Sequence, residues 1–238
     1  MFGYHLCIFQ QAIASIYNSI EKGKQAMRRD SFHQSTATLK PIAHTGISKI
    51  QADLVILKYV AQQLYMTLQQ PDSLATTIEP LRYALEDCQQ RKQRIVLYKS
   101  QELQRSHRLS FVGFVSGTQC ALNPGLVDEV LRIDELMVAE LVNVAGIFSY
   151  SSLEIRPGRW YNLVVFQSGE TKAHVKSCHT HAYAVYQLAP QYYEWIRLHN
   201  GIMPGGLAQQ ELVLQSTKYY TFQQGQRHPD MYEITYGH

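Results

Sequence analysis

The sequence predicts an α+β protein in which a helical N-terminal region precedes a domain built on an antiparallel sheet. Residues 48–70 repeat apolar side chains at helical spacing, which is typical of an amphipathic helix. After Ser110 the sequence changes to short runs of aromatic and β-branched residues with turns between them, a pattern typical of strands. We therefore predict a helical region over 1–107 and a ferredoxin-like α+β domain over 108–238.

Three helices are expected in the N-terminal region, over residues 5–30, 48–70 and 74–105. The first has apolar residues from Leu6 to Ile20 at roughly helical spacing, and the second has the clearest apolar stripe in the chain. The third carries the basic sequence RKQR at 91–94. These helices are expected to pair as an antiparallel bundle.

The domain that follows has the predicted element order β-α-β-β-α-β, which is the split β-α-β or ferredoxin-like unit. The strands are expected at 109–115, 147–155, 160–167 and 212–222. The helices are expected at 127–144 and from 168 to about Leu188, where Pro190 either kinks the helix or starts a second helical segment that ends near Gly201. Such a unit has a four-stranded antiparallel sheet with both helices on one face. The other face then needs cover, either from the N-terminal helices or from a second copy of the chain.

Composition excludes several classes of protein. A net charge of +3 and a charged fraction of 17% do not favour a nucleic-acid partner. No run of about 18 apolar residues exists, so no membrane-spanning segment is predicted. The four cysteines form no CxxC pair, and the N-terminus has no pattern of a signal peptide, so we expect a cytoplasmic protein with reduced thiols.

The segment HVKSCHTHAYAV holds the candidate catalytic residues, His174 and His181. On one helix, His174, Cys178 and His181 share a strip beside the core, because they stand at positions i, i+4 and i+7. Three interpretations stay open: semi-buried polar residues at a helix–sheet boundary, ligands of a haem or metal ion, or acid–base catalysts. No complete metal site is predicted, because the i to i+7 separation of about 10.5 Å is too long for one ion.

A second group of residues is predicted to bind a ligand. Asn162 lies inside an otherwise apolar strand, where a buried amide needs partners, which makes it a stronger candidate than the solvated arginines of the RPGR turn. Arg197 and His199 are expected near the mouth of a pocket, although Arg197 could instead pair with Glu194 on a helix face and His199 could cap a helix end. The predicted ligand-binding residues are Trp160, Asn162, Tyr183, Trp195, Arg197 and His199.

The domain after residue 108 resembles the dimeric α+β barrel superfamily, which includes proteins similar to antibiotic-biosynthesis monooxygenases and chlorite dismutases. The resemblance rests on the strand SFVGFV, the helix VDEVLRIDELMVAELVNV, the sequence GIFSYSSLEIRPGRWYNLVVF and the helix ETKAHVKSCHTHAYAV. It implies a homo-oligomer, and a function among cofactor-free oxygenases, haem enzymes, cyclases and proteins without catalysis. If haem is bound, His174 or His181 is the expected axial ligand.

We therefore expect a small-molecule-binding enzyme, a monooxygenase or isomerase, that acts on an apolar, ring-containing compound. Its pocket is expected between the sheet and the last helix. The alternative is a protein without enzymatic activity that binds a partner through an aromatic surface that includes Tyr192, Tyr193 and Trp195.

Overall fold

Eight strands form one antiparallel sheet in the computed structural model, which describes residues 43–70, 80–172, 179–223 and 228–237, without the side chains of 43–47, 179 and 181. The predicted α+β class is confirmed. The helix predicted at 5–30 lies outside the described residues. The boundary predicted between residues 107 and 108 stays a prediction, although two strands that precede it belong to the same sheet.

The sheet has the spatial order β1-β2-β4-β5-β3-β6-β7-β8. All seven neighbouring pairs of strands are antiparallel. The longest strands lie at its centre, where β3 is buried along all but its last residue. The strands are β1 (Leu81–Glu86), β2 (Lys92–Leu97), β3 (Leu109–Thr118), β4 (Ile147–Arg156), β5 (Arg159–Phe166), β6 (Tyr193–Met203), β7 (Val213–Thr221) and β8 (Asp230–Thr235).

Helices cover both faces of the sheet. One face packs against α1 (Ala43–Leu68), and the other packs against α3 (Pro124–Leu141) and a helical segment over 179–192. That segment consists of α4 (His179–Tyr183), a π-helical turn (Ala184–Leu188) and α5 (Ala189–Tyr192). Two short helices, α2 (Ser100–Arg105) and α6 (Gly206–Gln209), lie in the connections. Among the described helices, none has the length and apolar character that a membrane crossing requires.

Helix α1 approaches the sheet closely because β3 has a glycine beneath it. A Cβ atom on Gly113 would lie 2.5 Å from Cδ1 of Leu57, which is fully buried. The apolar stripe of α1 continues through Val60, Ala61 and Leu64, all of them buried. Helix α1 therefore covers the sheet face that was expected to be covered either by the N-terminal helices or by a second copy of the chain.

The helix predicted over 74–105 was wrong for residues 81–97, which form the hairpin of β1 and β2. The turn is organised by Asp87, whose carboxylate accepts hydrogen bonds from the backbone N–H groups of Gln89 and Arg91 at 2.9 and 3.0 Å. Aspartate favours such turns over a helix interior, since its side chain satisfies nearby backbone donors. Residues of β1 alternate between half-buried and exposed, which is the pattern of an edge strand.

The helix predicted to continue to Gly201 was also wrong, because the chain becomes strand β6 at Tyr193. Pro190 lies in the first turn of α5, where its missing N–H has no cost. β6 pairs with β3 along one edge and with β7 along the other. Its side chains are mostly buried on both faces, so its sequence does not alternate cleanly. Beyond the last predicted strand, residues Asp230–Thr235 form the edge strand β8, which pairs with β7.

The packing of α1 gives a direct test. Leu57→Ala should lower the free energy of unfolding by about 2–5 kcal/mol, because a fully buried leucine that lies against Gly113 would leave a cavity. The measurement is urea denaturation followed by circular dichroism. Val55→Ala on the same helix is the control, since Val55 is 66% exposed and should change stability by less than about 0.5 kcal/mol. Equal effects of the two variants would contradict the placement of α1.

Candidate ligand-binding site

A cleft of about 370 Å³ lies on the α1 side of the sheet, towards the edge formed by β6, β7 and β8. Four strands and the first described turns of α1 contribute to its wall. Glu194, the one carboxylate among the described residues that line the cleft, is exposed to solvent. The cleft wall also includes Lys49, Arg159, Trp195, Arg197, Tyr219 and Tyr232.

Strand register brings the central residues of the cleft into one row. Arg197 on β6 is paired with Tyr219 on β7, and Tyr219 is paired with Tyr232 on β8. Directly paired residues of antiparallel strands project from the same face with their side chains in contact range. Trp195 stands two residues before Arg197 on β6 and so extends the row on that face.

Aromatic rings form much of the cleft surface. Tyr219 and Tyr232 stack with their ring centroids 4.4 Å apart and their planes only 8° from parallel. The guanidinium groups of Arg159 and Arg197 lie 4.3 and 4.4 Å from the Trp195 ring centroid, within the range of cation–π attraction. Gly117 makes room for the indole, because a Cβ atom there would lie 2.6 Å from Trp195 Nε1.

Beneath the cleft, a buried carboxylate on α1 joins the helix to the sheet. Arg197 donates to Asp53 through Nε and Nη2 at 2.6 and 2.8 Å, a bidentate ion pair. Tyr161 donates its hydroxyl to Oδ1 of Asp53 at 3.1 Å, and His199 Nε2 lies 3.1 Å from Oδ2. Asp53 is 1% exposed and Arg197 6%, so this pair is held out of water.

The histidine of this network is engaged on both ring nitrogens. His199 is 0% exposed, and its Nδ1 lies 3.0 Å from the hydroxyl of Thr217, which itself accepts a hydrogen bond from Tyr236 on the C-terminal side of β8. Since the Asp53 carboxylate only accepts, the ring hydrogen on that side belongs to Nε2. His199 therefore has no nitrogen left to bind a ligand. Its contacts join β6 to α1 through Asp53 and to β7 through Thr217, to which Tyr236 is also bonded.

The electrostatics of the network favour an ionised Asp53. Burial raises the pKa of this carboxyl, but hydrogen bonds from His199 and Arg197 and the charge of Arg197 together bring the pKa below its ordinary value of 3.8. Burial, followed by the negative charge of Asp53, raises the pKa of Tyr161. The tyrosine consequently stays protonated at neutral pH and donates to the carboxylate.

Tyr219 has a different environment from the tyrosines around it. Only 8% of Tyr219 is exposed, and its hydroxyl has no hydrogen-bond partner among the described residues. Burial, followed by the nearby tyrosines Tyr232 and Tyr236, raises its pKa to about 12. Tyr219, which lines the cleft, thus keeps its buried hydroxyl protonated at neutral pH.

The structure places the predicted ligand-binding residues in different parts of the sheet. Trp195 and Arg197 line the cleft, and His199 lies beneath it. Trp160 and Asn162 project from the opposite face, where both are buried under α3 and the segment 179–192. Asn162 has an interaction there and is not free.

The helix-face pairing of Arg197 with Glu194 and the helix-cap role of His199 were wrong, because both residues are on β6. Tyr183 is exposed at the end of α4, on the α3 side of the sheet. Its pKa is raised by burial and by its contact with Glu129 of α3.

The two predicted catalytic histidines are not tested by these contacts. His174 and Cys178 lie outside the described residues, and for His181 only the backbone within α4 is described. Their assignment stays a prediction. Among the described residues, no three His, Cys, Asp or Glu side chains come close enough to hold a metal ion.

Sequence reasoning missed most of the cleft. Asp53 had the clearest available signal, because it stands on the apolar stripe of α1 between Ile50 and Leu57, where a charged residue needs a buried partner. Arg159 was set aside as a residue of the RPGR turn. Tyr219 and Tyr232 belong to strands whose pairing no local pattern reveals.

The buried ion pair predicts a large effect of one substitution. Asp53→Asn should lower the free energy of unfolding by about 3–5 kcal/mol, because Arg197 would be left as a buried charge without its partner. In a double-mutant cycle with Asp53→Ala and Arg197→Ala, urea denaturation should show a coupling of about 0.5–3 kcal/mol. Glu129→Gln, in the exposed pair with Arg132, is the control and should cost less than about 1 kcal/mol. Additive losses would contradict the pairing.

The same pair predicts how stability depends on pH. The pKa of Asp53 is lower in the folded than in the unfolded chain. The ionised carboxylate therefore stabilises the fold fully at pH values well above 3.8, the ordinary pKa, and this stabilisation is lost as the pH falls towards the pKa of the folded state. The difference in unfolding free energy between the wild type and Asp53→Asn should therefore be steady down to about pH 5 and shrink below it. A difference that stayed constant through this acid range would argue against an ionised Asp53.

Comparison with known protein families, with curated proteins and with solved structures finds no significant match to this chain.

Proposed function

We propose that this chain is a small-molecule-binding protein of the ferredoxin-like α+β type, and that its ligand is a ring-containing compound bound in the cleft on the α1 side. The observation that carries the proposal is the cleft itself. Its volume of about 370 Å³ falls within the roughly 300–1,000 Å³ of small-molecule sites, and it combines aromatic walls with a few polar groups.

The ferredoxin-like part of the proposal is supported by the order of the four central strands. β3 and β4 are joined through α3 and have β5 between them, while β5 and β6 are joined through the segment 179–192 and have β3 between them. This is the split β-α-β arrangement on both connections. The remaining strands extend this unit at both of its edges.

The chemistry of the walls supports a ligand with a ring. Trp195, Tyr219 and Tyr232 offer flat apolar surfaces, against which an aromatic ring packs with about 0.5–1.5 kcal/mol beyond its burial. The rings are held before any ligand arrives, because Trp195 lies over Gly117 and Tyr219 stacks on Tyr232. A preformed site loses less conformational entropy on binding.

The enzymatic part of the proposal, a monooxygenase or isomerase that uses His174 and His181, rests on the resemblance and on the acid–base chemistry of histidine. The buried Asp53–His199 pair does not serve as a substitute, since both ring nitrogens of His199 are already bonded. If the reaction involves haem, either His174 or His181 is proposed to ligate it, and the haem would supply the oxidation chemistry.

The alternative is partner binding through an aromatic surface. Tyr192 and Tyr193 are buried, so of the three residues expected on that surface only Trp195 is partly exposed. Tyr183 and Tyr186, each 39% exposed, are the aromatic side chains that such a surface would use instead. A homo-oligomer would form through an edge or a helix surface, since α1 already covers the second face of the sheet.

The cleft predicts binding of a neutral aromatic probe. N-phenyl-1-naphthylamine should gain fluorescence on titration with the wild-type protein, and Trp195→Ala should weaken its binding at least about tenfold through the loss of a ring wall. Tyr186→Ala is the control, because Tyr186 is a half-exposed ring on the other side of the sheet. If the wild-type protein shows no saturable binding of the probe, the proposal is contradicted and partner binding becomes the better hypothesis.

The haem hypothesis has an independent spectroscopic test. Addition of haemin to the purified protein should give a saturable Soret band with the spectrum of a histidine-ligated haem, and His174→Ala or His181→Ala should shift or abolish that spectrum. His107→Ala is the control, since His107 is exposed and far along the chain from the predicted ligands. A spectrum that stays that of free haemin removes haem from the proposal but leaves the aromatic cleft untouched.

A further inference from the structure

We infer that the compound bound in this cleft is an aromatic anion, that is, a planar ring that carries a carboxylate, sulfonate or phosphate group held by Arg159 and Lys49. The inference rests on the proposed function, because it names the class of ligand for the same cleft. Three properties of the described residues support it: a half-buried arginine without a carboxylate, an excess of positive charge, and a buried hydroxyl without a partner.

Arg159 differs from the other arginines that are removed from water. Among the described arginines that are buried or half-buried, Arg91, Arg94 and Arg197 each form an ion pair with an aspartate. Arg159 is also half-buried, yet it forms no ion pair within the described part of the chain. A guanidinium group that has lost water without gaining a carboxylate is a ready partner for an anion.

The charge around Arg159 favours an anion as well. Arg197 lines the cleft, but Asp53 already neutralises its charge from below. Lys49 is exposed on α1 and, like Arg159, has no acidic partner among the described residues. Glu194 is exposed, so water screens its charge more than that of the half-buried Arg159. The cleft is therefore positive where it is least hydrated.

Tyr219 lines the same cleft and carries a neutral donor. Its hydroxyl is buried and lacks a hydrogen-bond partner among the described residues, a state that is unfavourable unless an acceptor satisfies it. An anion that carries several acceptor oxygens would offer acceptors to Arg159, whose present hydrogen bond is to the neutral Tyr161, and to the Tyr219 hydroxyl, whereas a purely apolar ring would offer none.

The arrangement of rings and cations explains why the anion should be attached to a ring. The Arg159 guanidinium lies 4.3 Å from the centroid of Trp195, so a group bound to Arg159 is held beside the indole. The tyrosine pair Tyr219 and Tyr232 extends the aromatic wall across the next two strands. A ligand with a ring at one end and an anionic group at the other would contact all these groups together.

Two fluorescent probes that differ by one sulfonate group test the inference. 8-Anilinonaphthalene-1-sulfonate and N-phenyl-1-naphthylamine share the same rings, but only the first is an anion. In fluorescence titrations of the full chain, the sulfonate should bind at least about tenfold more tightly. Raising the NaCl concentration from about 0.05 to 0.5 M should weaken the binding of the sulfonate probe but not the binding of the neutral probe. 1-Naphthoate and 1-naphthyl phosphate should displace the sulfonate at lower concentrations than the neutral 1-naphthalenemethanol does.

Variants assign the preference to the cleft. Arg159→Gln and, separately, Lys49→Gln should each lower the ratio of the affinity for the sulfonate to the affinity for the neutral probe at least about fivefold. Arg156→Gln is the matched control, because Arg156 is the exposed partner of Arg159 across the same hairpin and does not line the cleft. Lys49 is an exposed helix residue, so its variant tests the cation even if Arg159→Gln were to lose stability.

The outcomes separate this inference from the proposed function. Equal affinity for the two probes, or a sulfonate preference that survives both Arg159→Gln and Lys49→Gln, would overturn the anion inference and leave the aromatic cleft standing. Failure of both probes to bind would overturn the proposed function itself. A preference lost in the two cleft variants and kept in Arg156→Gln would support the inference.

Discussion

The bidentate ion pair between Asp53 and Arg197 is the interaction on which the α1 side of this protein depends. It joins the helix to β6 through two short hydrogen bonds, at 2.6 and 2.8 Å, beside a cluster of buried apolar side chains. A buried charge of either sign is tolerated only with its partner in place, so the pair restricts α1 to one position on the sheet. A second buried ion pair lies on the opposite face of the sheet, where Arg94 of β2 pairs with the fully buried Asp134 of α3.

The same constraint shapes the cleft. Because Asp53 holds Arg197 from below, the guanidinium of Arg197 stays beside Trp195, and Trp195 in turn lies in the space that Gly117 leaves open. His199 adds a second link, from Asp53 through Thr217 to Tyr236 beyond β8. Stability and a preformed binding surface thus come from the same residues, and substitutions at Asp53 should change both.

Much of the fold could be predicted, and the failures have common causes. α1, β3, α3, the β4–β5 hairpin and β7 were found because each has a strong local pattern that agrees with its tertiary setting. The sequence predicted helices for the hairpin of β1 and β2 and for the strand β6. β2 and β6 are buried on both faces and so lack an alternation of period two, while the exposure of β1 alternates although its sequence, LRYALE, does not. The sequence named Trp195 and Arg197, which line the cleft, as candidates for ligand binding. It did not single out Arg159 and Tyr219 of the cleft or Asp53 beneath it, because their partners stand far away in the sequence.

The sequence by itself determined the class of the protein, most of its strands and the amphipathic helix that covers the sheet, since these follow from residue periodicity and turn chemistry. Only the tertiary structure decided that β6 is a strand between β3 and β7, and that choice moved Arg197 and His199 from a helix end to a buried network. The physical reason is that a strand has its hydrogen-bond partners elsewhere in the chain, whereas a helix has them within itself. The face on which a residue such as Arg159 or Tyr219 projects, and hence its chemistry, is consequently set by strand pairing.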